Sequence, residues 1–359
     1  MAIWQFLFSK RERLMSLAFL VGFVVDNLTL VRIDVLWSSL VLLSYLMVAV
    51  IAVLLTAFAE RREVRGPLAA RLFSLAPFLA QFSFGALFSG YFVFFTRSAS
   101  LTSSWAFIVL LAAVLLGNEF FKNYYQRFEF QINILFVAIF FFTILYTPIV
   151  LNRMDVWAFL VSGAVSVLVM MMLVFVLSRI IPEVMKNMRP VLKVSLGSAF
   201  VVINILYFTN IIPPIPLSLK QAGVYHVVER TEGGGYQAQT EGVAWYDLVS
   251  RYHPTIHRLA NEPLYFYSSV FAPTHLSVPI FHEWQYFDDI KNEWVTTDRL
   301  QFQVTGGRDG GYRGYSVKGN LFAGEWRVNV VTEQGQYLGR TRFTVERVPT
   351  LSTLVIKLL

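Results

Sequence analysis

The sequence predicts an all-α membrane bundle of seven transmembrane helices followed by a mainly β, immunoglobulin-like sandwich domain. Three observations predict it. The chain is 56% hydrophobic and only 15% charged, with a mean hydropathy of +0.56, whereas soluble domains carry about a quarter charged residues. Seven apolar stretches, at residues 14–30, 35–58, 72–95, 101–121, 132–151, 156–180 and 191–212, are long enough to span a hydrocarbon core of ~30 Å at ~1.5 Å per residue. Beyond Pro213 charge rises, apolar runs shorten and period-2 alternation takes over.

The opening stretch, MAIWQFLFSKRER, reads as an amphipathic interfacial lead-in rather than a cleaved signal peptide, because no small-residue cleavage site follows its charges. Orientation comes from the loops. Thirteen basic residues, Lys10, Arg11, Arg13, Arg61, Arg62, Arg65, Arg71, Lys122, Arg127, Arg179, Lys186, Arg189 and Lys193, fall on one side. Arg32, Arg97 and Arg153 fall on the other. Positive charge stays inside, so the N-terminus is expected in the cytoplasm. After seven crossings the C-terminal domain lies in the periplasm of a bacterial inner membrane. The same partition disposes of a nucleic-acid partner. Sixteen Lys/Arg and nine Asp/Glu precede Pro213, and fourteen of each follow, so the whole net charge of +7 belongs to the membrane part. With no cysteine there are no disulfides and no thiolate metal sites.

Ionisable residues in a span are functional candidates because burying each in hydrocarbon costs free energy. Asp26, Asn27, Arg32 and Asp34 lie near the outer end of the first span. Two readings stand: a cluster knitting the outer loop, or an ion or lipid site. In the third span Pro77, Gln81, Ser83, Gly85, Ser89 and Gly90 place small residues four apart, which suits close helix packing or a lateral lipid groove. The spans show no paired Gly/Pro interruptions of an inverted-repeat transporter. There is no G-x-S-x-G or H-E-x-x-H, and all five histidines follow Pro213.

Residues 213–219 form a proline-rich linker, within IIPPIPLSL, stiff because proline fixes φ and stops a helix. Residues 220–359 then suffice for one domain. Residues 225–230 suggest a strand and 231–240, with three glycines, a turn or loop. Helical spacing of Trp245, Leu248, Val249, Tyr252, Ile256 and Leu259 predicts a helix near 245–260. It would set His253 and His257 four apart on one face, the spacing of zinc ligands. Without a local third ligand the alternative is a surface histidine pair, and no metal or other cofactor is expected. Strands are expected at 264–271, 278–287, 294–304, 312–317, 324–332 and 337–346, separated by polar turns.

Between two of these strands lies TGGRDGGYRGYSVKGN, residues 305–320. Its glycines permit positive φ and a nest of backbone N–H groups for an anion, with Arg308 and Arg313 supplying charge. Arg308 and Arg313, with Tyr312, Tyr315, Trp284 and Trp326, would make a platform for a sugar or peptide. The alternative is internal: Arg308 and Arg313 paired with Asp309, Asp298 or Glu283 to fix the loop.

His282-x-Trp284, Gly306-Gly307-Arg308, Tyr312-Arg313-x-Tyr315-Ser316 and Gly324-x-Trp326-x-Val328-x-Val330 together resemble an uncharacterised bacterial domain-of-unknown-function family of envelope and membrane-anchored proteins, over about residues 263–346. Asp309-Gly310-Gly311 stands as an insertion relative to that pattern. The resemblance implies a β-sandwich and no activity. Two functions are therefore expected as alternatives: a non-enzymatic membrane protein whose periplasmic module binds an envelope glycan, peptide or protein partner, or a membrane-interface enzyme or lipid-handling protein using Asp26, Arg32 and Asp34.

Overall fold

The computed structural model describes residues 23–30, 32–60, 67–98, 104–120, 124–125, 127–242, 253–273, 276–308, 310–351 and 353–359. The chain divides into two compact units, Met1–Arg97 with Ala106–Ile215, and Ser98–Trp105 with Pro216–Leu359.

The first unit is helical. After residues 23–29 (α1) come Leu36–Glu60 (α2), Pro67–Ser98 (α3), Trp105–Phe120 (α4), Phe128–Leu151 (α5), Val156–Ile180 (α6) and Pro182–Phe208 (α7). Among the described residues five of these, α2, α3, α5, α6 and α7, are long and apolar enough to cross a membrane. α4 has 16 residues, about 24 Å of rise, and falls short of the ~30 Å expected of a span. Most of the expected first span lies outside the described residues. The last helix begins nine residues before the apolar stretch expected at 191–212: Pro182 opens it and Pro190 lies within it. Lys186, Arg189 and Lys193 are therefore helical, not in a loop.

α5 ends where Asn152 adopts φ 51, a left-handed cap whose N–H reaches the Ile149 and Pro148 carbonyls. Three residues on, the Asp155 side chain accepts from the Ala158 N–H at 3.0 Å and starts α6. The interior is aromatic: Phe88, Tyr91, Phe95 and Phe107 surround Phe141 with centroids 5.7–6.4 Å apart. Several of its polar groups are paired, as apolar surroundings favour: Tyr91 donates to the Ala138 carbonyl at 2.7 Å, and Thr56 meets Gln131 at 3.1 Å. On α3, a Cβ at Gly90 would lie 2.5 Å from Leu42 and 3.2 Å from Leu30. The expected small-residue face is thus a close helix contact at that position.

The second unit is β-rich, with strands Ser218–Tyr225 (β1), Val227–Arg230 (β2), Tyr236–Glu241 (β3), Thr255–Arg258 (β4), Leu264–Phe271 (β5), Ser277–Asp288 (β6), Glu293–Thr305 (β7), Tyr312–Lys318 (β8), Gly324–Thr332 (β9), Tyr337–Arg347 (β10) and Leu354–Leu358 (β11). They form three sheets, β1-β5-β8, β4-β10-β9-β6-β7 and β11-β3-β2. Period-2 alternation decides what each strand faces. On β6, Val278, Ile280, His282 and Trp284 are buried in turn, and His282 and Trp284 meet Ser268 and Phe266 of β5. On the other face of β5, Tyr267 packs with Tyr236, Val228 and Ala238 of the third sheet. β5 is thus covered on both sides, and the β region has three layers where two were expected.

The helix expected near 245–260 is corrected in its described part, since residues 243–252 lie outside the description. Thr255–Arg258 is β4, a parallel partner of β10. Thr255 and Ile256 are β-branched and favour extended backbone, and Ile256 is buried opposite Val345. Residues 236–240, expected in a turn or loop, belong to β3 because β2 and β11 flank that segment and satisfy its backbone.

Candidate functional site

The glycine-rich loop joins β7 to β8, and its first part is held down on Ala272 and Leu276. Gly306 donates to the Leu276 carbonyl at 2.8 Å and Gly307 to the Ala272 carbonyl at 3.2 Å. A Cβ at Gly306 would lie 1.6 Å from the Pro273 oxygen, so only glycine admits this approach. Gly311 combines φ +82 with a Cβ position 2.6 Å from Ser269 Oγ. Ser269 itself donates to the Gly310 carbonyl. The described loop residues are thus tied down on either side of position 309.

Those side chains separate into two groups. Arg308 is exposed and its guanidinium lies 5.9 Å from the centre of the Tyr312 ring. Arg313 and Tyr312 are half-buried, and Tyr315 is 42% exposed, edge-on to Tyr236 at 6.1 Å. Asp309 lies outside the described residues. Trp284 and Trp326, by contrast, are 0% exposed, so neither ring face meets solvent. The carboxylates considered as loop partners are engaged elsewhere: Asp298 by Lys318, and Glu283 by Arg299 at 3.2 Å.

Trp284 belongs to a buried polar chain. Its Nε1 donates to Ser316 Oγ at 3.0 Å, Ser316 Oγ lies 2.9 Å from His282 Nδ1, and His282 Nε2 lies 2.8 Å from Ser268 Oγ. The His282 ring packs against Phe266 and Phe302, with centroids 4.7 and 4.6 Å away. Burial pushes its pKa from 6.5 down to about 3, so the ring stays neutral near pH 7. A Ser–His pair at this distance suggests nucleophile and base. Here both residues are 0% exposed, which denies a substrate access, and the pair serves to join two sheets. Ser268 was not singled out from the sequence, although alternation in LYFYSSVF puts it on the face of Phe266.

The histidine pair is also redistributed. His253 Nε2 lies 3.0 Å from Glu325 and 3.1 Å from Thr344. His257, on β4, turns to Glu241, whose Oε2 is 2.6 Å from Nδ1 and whose Oε1 accepts the His257 N–H at 2.7 Å. Glu241 Oε1 also lies 3.1 Å from His226 Nε2. Among the described residues no group of three His, Cys, Asp or Glu could hold a metal. The bond to Glu241 raises the His257 pKa above 6.5, against burial that lowers it. Burial works to raise the Glu241 pKa, but the bonds from His257 outweigh it and hold the carboxyl below 4.5. The ionised pair therefore stabilises between those limits, fading as pH falls through the lowered Glu241 pKa or rises through the raised His257 pKa. In Glu241→Gln the His257 titration, followed by NMR of its ring, is expected to move down toward 6.5. An unmoved titration would remove Glu241 as its partner.

At the other end of the chain, Arg32 and Asp34 form a two-pronged pair at 3.0 and 2.6 Å. Asp26 is not with them. It accepts from Ser89 of α3 at 2.6 Å. Asn27 contributes its carbonyl, which accepts from Arg97 at 2.9 Å, while a second Arg97 nitrogen donates to the Leu30 carbonyl. Arg97, read from the sequence only as a loop charge, thus caps the end of α1.

Comparison with known proteins places the β region. Residues 278–345 match the family Protein of unknown function (DUF2914). The DUF2914 segment runs from β6 into β10 and contains His282, Trp284, the glycine-rich loop, Ser316 and Trp326. Within that segment His282, Trp284 and Trp326 are core groups. No curated protein matches the chain. A solved structure, Pseudomonas fluorescens alkylpurine DNA glycosylase AlkC bound to DNA containing an abasic site analog, aligns at 8% identity over 79% of this chain and 83% of that one, with a TM-score of 0.21.

Proposed function

We propose that this is a non-enzymatic integral membrane protein of the bacterial inner membrane. It crosses seven times with its N-terminus in the cytoplasm and holds in the periplasm a module built on an immunoglobulin-like pair of sheets with a third sheet added, where the module binds an envelope glycan, peptide or protein partner in a scaffolding or signalling role. Five long apolar helices and the thirteen-to-three bias of basic residues support the anchor and its orientation. The observation that carries the binding role is the end of the three-stranded sheet. β8 is an edge strand, entered from a pinned loop, with Arg308 exposed on that loop and Tyr315 exposed on the strand. Trp284 and Trp326 drop out of that surface, leaving Arg308, Tyr312, Arg313 and Tyr315.

Photo-crosslinking in cells tests it. Probes at Arg308 and Tyr315 are expected to capture one identifiable envelope component, and Arg313→Ala to abolish the capture. A probe at Ile290, 97% exposed in the β6–β7 turn, is the control. Equal capture from Ile290, or capture of this chain alone, would reject the binding surface.

A second reading, lipid handling, draws on one observation. A cavity of about 850 Å³ is lined by apolar residues of α5, α6 and α7, among them Phe136, Met170 and Leu196, with Arg179, Arg189 and Lys193 also on its wall. Apolar walls with three cations suit an acyl chain and an anionic headgroup. In the proposed orientation this favours the inner leaflet over the Asp26, Arg32 and Asp34 region. Probes at Val174 and Gly197 that recover lipid, with silent loop probes, would favour this reading.

A further inference from the structure

The five-stranded sheet has a second face, and its register sets a row of arginines there. Gln285 of β6 lies opposite Arg327 of β9, and Arg327 opposite Arg342 of β10. One row along, Glu283, Asn329 and Arg340 are matched in the same way. Like charges directly opposite repel, yet Arg327 and Arg342 face each other.

Two of the arginines, Arg327 and Arg340, are held in place by two amides. Arg327 Nε donates to Gln285 Oε1 at 2.6 Å, and Asn329 Nδ2 donates to the same oxygen at 3.1 Å. Gln285 Nε2 donates onward to Thr296 Oγ1 at 2.7 Å, and Asn329 Oδ1 accepts from Arg340 Nε at 2.6 Å. Asn329 is 0% and Gln285 8% exposed. A buried amide chain therefore engages the Nε of Arg327 and that of Arg340, whose guanidinium also lies 5.0 Å from the centre of the Tyr337 ring. The planar Trp294 ring completes the arrangement, 4.2 Å from the Arg327 guanidinium and 5.8 Å from that of Arg342.

The acidic groups on this face are already engaged. Glu283 pairs with Arg299 at 3.2 Å. Glu325 takes His253 at 3.0 Å and Thr344 at 2.7 Å. Burial, then the neighbouring Arg340, lowers the Arg327 pKa to about 10, partly offset by Tyr337 and Glu283. That residual repulsion would be relieved by an anion.

We propose that Arg327, Arg340 and Arg342, with Trp294 beside the first and the last of them, form a binding site for a phosphate group. Three cations match the charge of a phosphate better than that of one carboxylate, and oriented guanidinium forks match its oxygens. The phosphate is carried by a lipid headgroup or by a soluble molecule. The site is separate from the glycine-rich loop and does not rest on the reading of that loop.

The test uses the full chain labelled with 5-fluorotryptophan in phosphatidylcholine nanodiscs, with the Trp294 signal assigned through Trp294→Phe. Inorganic phosphate is expected to shift that ¹⁹F signal saturably, while chloride at equal ionic strength does not. Arg340→Gln and the exposed Arg342→Gln are each expected to weaken binding about tenfold, with the other tryptophan signals unchanged as the control on folding. Arg308→Gln is expected to leave it unaltered. A shift on adding inorganic phosphate assigns a soluble source. A shift only in nanodiscs containing phosphatidylglycerol assigns a headgroup. No shift from either, an equal shift with chloride, or a shift that survives both arginine substitutions would overturn the site.

Discussion

Trp284→Ala is expected to destabilise the β region by about 3–5 kcal/mol, the usual cost of deleting a large buried aromatic. The ring is wholly buried, with Phe266 at 6.2 Å and Phe343 at 6.2 Å between centroids. Its indole N–H also donates to Ser316 Oγ, so truncation opens a cavity and removes a buried hydrogen bond together. Tyr315→Ala, at an exposed position, is expected to cost about 0.5 kcal/mol or less. Pulse proteolysis of the full chain in urea, scoring survival of the C-terminal fragment, compares the two. A Trp284→Ala loss under about 1 kcal/mol would contradict a core role. Where the Trp284→Ala chain remains folded, capture through Arg308 and Tyr315 should persist, which separates a structural tryptophan from a recognition one.

Acidification is expected to weaken the same region through His282. Its folded pKa is about 3 against an ordinary 6.5, so below pH 6.5 the unfolded chain takes up a proton that the folded chain refuses. The stability is fully present above 6.5 and declines by about 1.4 kcal/mol for each unit below it, or about 2 kcal/mol by pH 5. His257 works in the opposite sense over the neutral range, because its folded pKa is raised. A comparison with His282→Gln isolates the His282 contribution. The variant should be less stable at pH 7.5 but show a flatter decline to pH 5, read by the same proteolysis. An equally steep decline would assign the acid sensitivity to other groups.

Much of the fold was legible because its signals are local. Apolar run length marked the helices at 36–60, 128–151 and 156–180 within a few residues, and alternation marked β5 through β10. Two errors have one cause. Thr255–Arg258 looked helical from the spacing of Ile256 and Leu259, and residues 236–240 looked like a loop from nearby glycines. Each is a strand because a partner far away in the chain satisfies its backbone. Among the site residues, Trp284 and Trp326 were recognisable as a motif. Their side of the sheet was not, since an aromatic on an alternating strand can face either a core or a ligand. The arginine row was hidden for the same reason: Gln285, Arg327, Arg340 and Arg342 lie up to 57 positions apart in the numbering and meet only through strand register.

By itself the sequence determined that an apolar helical part precedes an alternating β part, that the excess positive charge belongs to the former, and that residues 278–345 carry a family pattern. These follow from hydropathy, charge and period, which neighbours along the chain settle among themselves. Only the tertiary structure decided that His282 and Trp284 point inward onto Ser268 and Ser316, that Glu241 meets His226 and His257 while His253 turns to Glu325, and that Arg327 and Arg342 come together on Trp294. Those outcomes depend on which strands pair and in what register, and a shift of one residue would turn each side chain to the opposite face.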